Sequence, residues 1–241
     1  MEIVVAIKPV ADPQASDGWT IGSLDLYALS HAIAVRDATG GSVLVITCGP
    51  MESAGVAQRA LASGADAAIH VQISNVTDLS GEAIARELHR VIAEESFDLL
   101  VAGQASDDIE TGTVGAMLAE LFDLPHVSTV THIAPETGHL VVRRDAIGSK
   151  QTLRVPLPAV LLVLSGRDIP LKYPTPRGMI TARKKPFRVI ESDVVDDPGG
   201  LTWSAPETPP RTGDGEIIAE VPAAEAAKRI VAWMQERGLT G

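Results

Sequence analysis

The sequence predicts an α/β protein: a Rossmann-like, doubly wound, mostly parallel sheet, with antiparallel strands at one side and a C-terminal extension ending in a helix. Three observations carry this. Short β-rich apolar runs alternate with helical stretches through the first half of the chain. Hydrophobic residues make up 45% of the 241 positions but aromatics only 3%, so the core is built from Ala, Val, Leu and Ile. That is the composition of strands buried on both faces by helices. Finally, the segment from Val101 to Gly115 places three glycines and a cluster of small polar residues between an apolar run and a helical one. In an open α/β sheet such strand-to-helix turns are where ligands bind.

Taken in order, Glu2 to Ile7 reads as the first strand, and Pro9, Asp12, Pro13 and Gly18 mark a long loop after it. Asp25 to Asp37 has apolar residues at Leu26, Leu29, Ile33 and Val35, the spacing of a helix face. Ser42 to Cys48 is a second buried strand, closed by Gly49-Pro50. Met51 to Ser63 is Ala-rich and helical and stops at Gly64; Ala67 to Val71 is a third strand. Ser80 to Glu95 is an amphipathic helix with Ile84, Leu88, Val91 and Ile92 on one face. Leu99 to Ala102 is the fourth strand, and Ala116 to Leu121 the helix beyond the glycine turn.

After Pro125 the pattern changes. Val127–Ile133 and His139–Arg144, joined by Glu136-Thr137-Gly138, read as a hairpin, and Thr152–Val155 and Ala159–Leu164 add two more strands. From Asp168 to Lys185 the chain reads as Pro-rich, basic and irregular. Asp193 to Gly215 has the composition of a linker, and Ala223 to Arg237 carries Ala227, Ile230, Val231 and Met234 as a helix stripe that needs a surface to dock on. The expected division is a nucleotide-binding α/β domain over 1–190, then a linker and docking helix over 191–241.

Composition excludes several classes. A formal charge of −11 is the wrong sign for a nucleic-acid binder. The single cysteine, Cys48, leaves no internal disulfide, and with no export leader visible this points to a reducing, cytoplasmic setting. No apolar stretch approaches the roughly 18 residues of a membrane helix, so membrane insertion is not expected. The histidines at 31, 70, 89, 126, 132 and 139 show no ligand spacing, and no metal is expected. Nucleophile-elbow, Walker and Gly-x-Gly-x-x-Gly patterns are absent. A crevice without nucleophile, general base or metal set reads as a binding or carrier module rather than an enzyme.

The glycine turn has two readings: an adenine-nucleotide cradle, or a tight turn that simply needs glycine. Asp107, Asp108 and Glu110 argue against a bare phosphate site and suit ribose hydroxyls or the N-capping of the next helix. Lys8, after the first strand, reads either as a phosphate partner or as a solvated lysine. Cys48 reads as packing, small enough for an adenine ring to lie against. The basic stretch 172–186 reads as a partner-docking element or as an ordinary solvated loop.

Four segments, in order, resemble the β subunit of electron transfer flavoproteins: Val4–Pro13; Cys48-Gly49-Pro50 with Ala60–Val71; the 101–115 turn; and Tyr173-Pro174-Thr175 with Met179–Pro186. The resemblance covers about residues 2–190 and is closest to a divergent bacterial paralogue. Thr113 stands where the family commonly has Gln, and Pro176 where many members place a partner-anchoring leucine. The resemblance implies a heterodimer in which an α subunit holds most of a redox-active FAD, while the β subunit binds AMP, or a second FAD in electron-bifurcating members. It maps cofactor contacts onto Ala6, Cys48, Gly103, Gln104, Ala105, Asp107, Asp108, Thr113 and Val114, and Lys8, Thr111 and Gly112 join them as candidates from the same strand end and turn. It maps partner docking onto Tyr173, Pro176, Met179, Ile180, Arg183, Lys184 and Lys185. Electrons are then expected from a flavin or other dehydrogenase and pass to a quinone reductase or other acceptor. A stand-alone adenine-nucleotide-binding stress-type module is the alternative from another class; an ATP-using ligase or hydrolase is disfavoured by the missing signatures.

Overall fold

The computed structural model describes residues 1–74, 79–166, 169–192, 204, 207–208, 210 and 215–239. The chain divides into two compact units, Met1–Thr202 and Trp203–Gly241.

In the first unit, β1 (Glu2–Ile7) is followed by a short antiparallel hairpin, β2 (Pro9–Ala11) and β3 (Trp19–Ile21), and then by α1 (Ser23–Thr39). The long loop expected after Pro9 is therefore partly strand, and Asp12 N closes the hairpin on Gly18 O at 2.8 Å. β4 (Ser42–Gly49), a turn of 3-10 helix at Met51–Ala54, α2 (Gly55–Ser63), β5 (Ala67–Gln72), α3 (Gly81–Ile92), β6 (Leu99–Gly103) and α4 (Val114–Leu121) follow. Then come β7 (His126–Glu136), β8 (His139–Ala146), β9 (Ser149–Pro156), β10 (Ala159–Val163), α5 (Pro176–Ala182) and β11 (Phe187–Glu191).

Nine strands form one sheet in the order β11-β5-β4-β1-β6-β10-β7-β8-β9. Pairing is parallel from β11 to β7 and antiparallel from β7 to β9. This is the expected mostly parallel sheet with antiparallel strands at one side. The chain steps from β1 outward through β4 to β5, then crosses back to place β6 on β1's other flank. The sheet's switch point therefore lies between β1 and β6, where open α/β sheets hold their ligands.

The buried strands read as continuous apolar runs because successive side chains enter different layers. Ile3, Val5, Val43, Val45, Leu99, Val101 and Leu161 pack with Leu29, Ile33 and Leu61 of α1 and α2. Val4, Ile46, Ile69, Leu100 and Leu162 pack with Leu88, Ile92 and Leu118 of α3 and α4. Ser80 Oγ caps α3 by accepting from Ala83 N at 3.2 Å. Ile84 is only partly buried, while Glu87 on the same helix is buried and paired to Arg90.

The structure corrects the reading of 168–185 as irregular. Residues 176–182 form α5, with Pro176 in its first turn and Thr175 Oγ1 accepting from Gly178 N at 3.0 Å. Both devices favour helix initiation. At Gly178 a Cβ would lie 2.1 Å from Ala62 O, so α5 sits directly on the end of α2. β11 then joins the sheet edge beside β5. Most of the linker stretch 193–215, like Arg167 and Asp168, lies outside the described residues. In the second unit, α6 spans Ala223–Glu236, and Arg237 stacks over the Trp233 ring at 4.4 Å.

Candidate functional site

The carboxyl ends of β1 and β6 meet at one side chain. Asp25, in the first turn of α1, accepts from Lys8 N at 2.8 Å through one carboxylate oxygen and from Gly103 N at 3.0 Å through the other. These N–H groups sit just where the two strands stop pairing, so Asp25 clamps the switch point shut. Gly103 is required by the fit: a Cβ there would lie 2.5 Å from Asp25 Oδ1. Burial pushes the Asp25 carboxyl up to about 7, against the two N–H bonds that favour its charge; Asp107 adds to the rise and the Lys8 ammonium opposes it.

The loop from Gly103 to Thr113 folds back over this clamp. Asp107 accepts from Ser23 N at 2.7 Å and from Ser23 Oγ at 2.6 Å, so it serves the amino end of α1. The N-capping role expected for these carboxylates exists, but at α1 rather than at the following helix. Asp108 accepts from Lys8 Nζ at 2.7 Å, and Ser106 Oγ lies 3.4 Å from the same ammonium. Lys8 is thus an ion-pair partner rather than a solvated lysine. Desolvation works against the Asp108 charge, yet Lys8 and Ser106 hold its carboxyl below the usual value. The loop turns through Gly112 at φ +63°, where a Cβ would also come within 2.9 Å of Gln104 O.

Among the described residues no side chain caps α4. The first N–H groups of that helix are thus left without a side-chain cap from its N-cap residue, Thr113. Ala6 and Cys48, on neighbouring strands, are buried small residues on the α3 and α4 side of the sheet. Burial pushes the Cys48 thiol up to about 12, with Glu87 adding to the rise and Lys8 opposing it, so it is an inert packing group. Ala105, Thr111, Gly112 and Thr113 complete the same loop, and all the residues singled out as cofactor contacts belong to this one region of the fold.

One feature of the site was not foreseen. Gln104 Oε1 accepts from Thr129 N at 2.7 Å, and Thr129 adopts φ +57°, a conformation rare for a β-branched residue. Its hydroxyl donates to Asp145 O, so the distorted start of β7 is fastened to the loop on one side and to β8 on the other. Gln104 thereby uses its carbonyl oxygen within the protein, leaving its NH2 for other partners. No local sequence signal marks Thr129; only the β7 register places it there.

The basic segment splits in two. Tyr173, Pro176, Met179, Ile180, Arg183 and Lys184 are exposed. Lys185 instead donates to Leu61 O at 3.0 Å and to Ala65 O, tying β11's approach to the end of α2. Desolvation lowers its pKa. A second concavity, about 190 Å³, lies at the opposite, amino ends of the strands, lined by Glu2, Ser42, Glu95 and Arg188 among others. Its charged groups have partners within the lining: Arg188 pairs with Glu95, and Glu2 accepts from Ser42 Oγ. Among the described residues there is no cluster of His, Cys, Asp and Glu fit for a metal, and no helix long and apolar enough to cross a membrane.

Comparison with known proteins bears on the same region. The Electron transfer flavoprotein domain signature matches residues 14–195. The electron transfer flavoprotein subunit beta of Bacillus subtilis is 29% identical, over 97% of this chain and 92% of its own. Those of Mus musculus (30%, over 98% and 92%) and Thermoanaerobacterium thermosaccharolyticum (30%, over 80% and 75%) are similarly related. The switch-point crevice, the doubly wound sheet and these matches along nearly the whole chain lead to one assignment: the chain belongs to the electron transfer flavoprotein family, as a β subunit.

Proposed function

We propose that this chain works as the smaller half of a heterodimeric electron carrier, beside an α subunit that holds most of a redox-active FAD. Its own crevice holds AMP, or a second FAD. The observation that carries the reading is the amino end of α4, uncapped among the described residues, at the β1/β6 switch point with the small side chains of Ala6 and Cys48 on the same side of the sheet. Phosphate suits free helix N–H groups, and a flat base suits a wall without bulk. These residues therefore fit a nucleotide, with Gln104, Ala105, Thr111, Gly112, Thr113 and Val114 around it. A bound flavin supplies the electron chemistry; the chain's residues bind it, orient it and set its surroundings. No catalytic group of the chain itself is invoked. The exposed surface of Tyr173, Pro176, Met179, Ile180, Arg183 and Lys184 suits docking of a dehydrogenase donor, with a quinone reductase or other acceptor taking the electrons on.

Purification with the α subunit, denaturation and quantification of released cofactors tests this. One FAD and one AMP per heterodimer is the expected result. Two FAD assign the crevice to a second flavin, and a complex that releases neither nucleotide overturns the proposal.

A further inference from the structure

The crevice brings its own anions. Asp107 occupies the amino end of α1 through both Ser23 donors, and the adjacent Asp108 occupies the Lys8 ammonium. Lys8 is the one Lys or Arg within residues 1–12, 47–50 and 103–115, the segments that frame the crevice. Its backbone N–H and that of Gly103 share the Asp25 carboxylate, so Lys8 stands beside the start of the loop. A phosphate arriving at the switch point thus meets a cation already neutralised. Both members of the pair are about one-third exposed, 35% and 36%, so the pair is exchangeable rather than locked.

We propose that Asp108 is a specificity-determining residue: it competes with nucleotide phosphate for Lys8 and so sets how much a phosphate group adds to binding. The inference rests on the crevice being a nucleotide site. A nucleoside makes no claim on the ammonium, so its binding does not require the Lys8–Asp108 pair to open. Binding of the monophosphate releases the carboxylate from Lys8 and pairs the phosphate there instead. The energetic benefit of phosphate is then reduced by the ion pair that must be given up, the size expected of a partly exposed pair.

Calorimetric titration of the nucleotide-free full chain with adenosine and with AMP separates the two ideas. Asp108→Asn should raise the ratio of AMP to adenosine affinity roughly three- to fivefold, the effect of losing a competing surface ion pair, since any contact of residue 108 with ribose is common to both ligands. Asp108→Ser should do the same, and the gain should vanish when Lys8→Gln is added. Equal AMP-to-adenosine affinity ratios in wild type and both Asp108 variants overturn the role of Asp108 while leaving the nucleotide site intact. Failure of adenosine and AMP to bind any of the proteins overturns the nucleotide site itself, and this proposal with it.

Discussion

Asp25 is a buried carboxylate whose two oxygens each accept a strand-end N–H, and the effect of replacing it by asparagine should reverse sign with pH. Its pKa rises from 3.8 to about 7 on folding, chiefly through desolvation. A raised folded-state value means that the native state keeps a proton the unfolded chain has lost. The stabilisation is complete below the unfolded value, and it is lost as pH rises towards 7. Each pKa unit corresponds to about 1.4 kcal/mol, so a shift from 3.8 to about 7 amounts to about 4 kcal/mol across that window. The amide of the Asp25→Asn variant would not titrate. It would keep one acceptor and turn an NH2 towards the other buried N–H, a cost of about 1–3 kcal/mol at any pH.

Asp25→Asn should therefore be the less stable protein at pH 5 and equal to or more stable than wild type at pH 8. Urea unfolding at pH 5, 6, 7 and 8 gives the difference directly. Asp107→Asn should move the crossing, because the Asp107 charge contributes to the rise at Asp25. Parallel stability profiles for wild type and Asp25→Asn would refute the argument, since they would mean that Asp25 ionises alike in the folded and unfolded chain.

His70, on β5, is buried, and desolvation lowers its pKa, only partly offset by the Pro50 and Gly49 carbonyls. The native state then binds this proton less readily than the unfolded chain, so wild type should lose stability relative to His70→Phe as pH falls through about 6.5; a constant difference in melting temperature from pH 7.5 to 5 would contradict this. Gly178→Ala forces a Cβ into the Ala62 carbonyl, and thermal unfolding should show the loss of about 1–3 kcal/mol expected of overpacking, with an unchanged midpoint counting against the α2–α5 contact. In the basic segment, Arg183→Glu with Lys184→Glu should slow reduction by the donor in a salt-dependent way and leave the melting temperature within about 1 °C, whereas Lys185→Met should lower it by removing two carbonyl contacts. Unchanged reduction kinetics in the double variant would remove these residues from the docking surface.

The sequence made the layers of this fold legible because they depend on local period: apolar runs too short for helices, and stripes at three- and four-residue spacing. It also singled out the glycine turn as the candidate site. What it could not show was which strands would neighbour one another. β10 follows the hairpin in sequence yet inserts between β6 and β7, parallel to both. The α5 helix was a different kind of miss, since Thr175 followed by Pro176 is a start signal, but seven residues are too few to establish a period. Lys185 resembles its basic neighbours because charge is read along the chain, whereas its partners, Leu61 on α2 and Ala65 just past it, lie more than a hundred residues away.

The acids of the glycine turn show why residue type alone left the site underdetermined. Asp107, Asp108 and Glu110 arrive within four positions, yet the first two act on different elements, Ser23 at the start of α1 and Lys8 at the end of β1. Both targets are fixed by the switch point, where α1 and β1 converge on β6 through Asp25. The loop must therefore be held at its middle by groups from the first 25 residues, leaving its far end, at α4, uncapped among the described residues. A carboxylate placed on α4 instead would fill the helix N–H groups and leave no place there for phosphate. Placing the acids on α1 and β1 fastens the loop while leaving the amino end of α4 uncapped among the described residues. That division of labour reconciles an acidic loop with the nucleotide crevice proposed above.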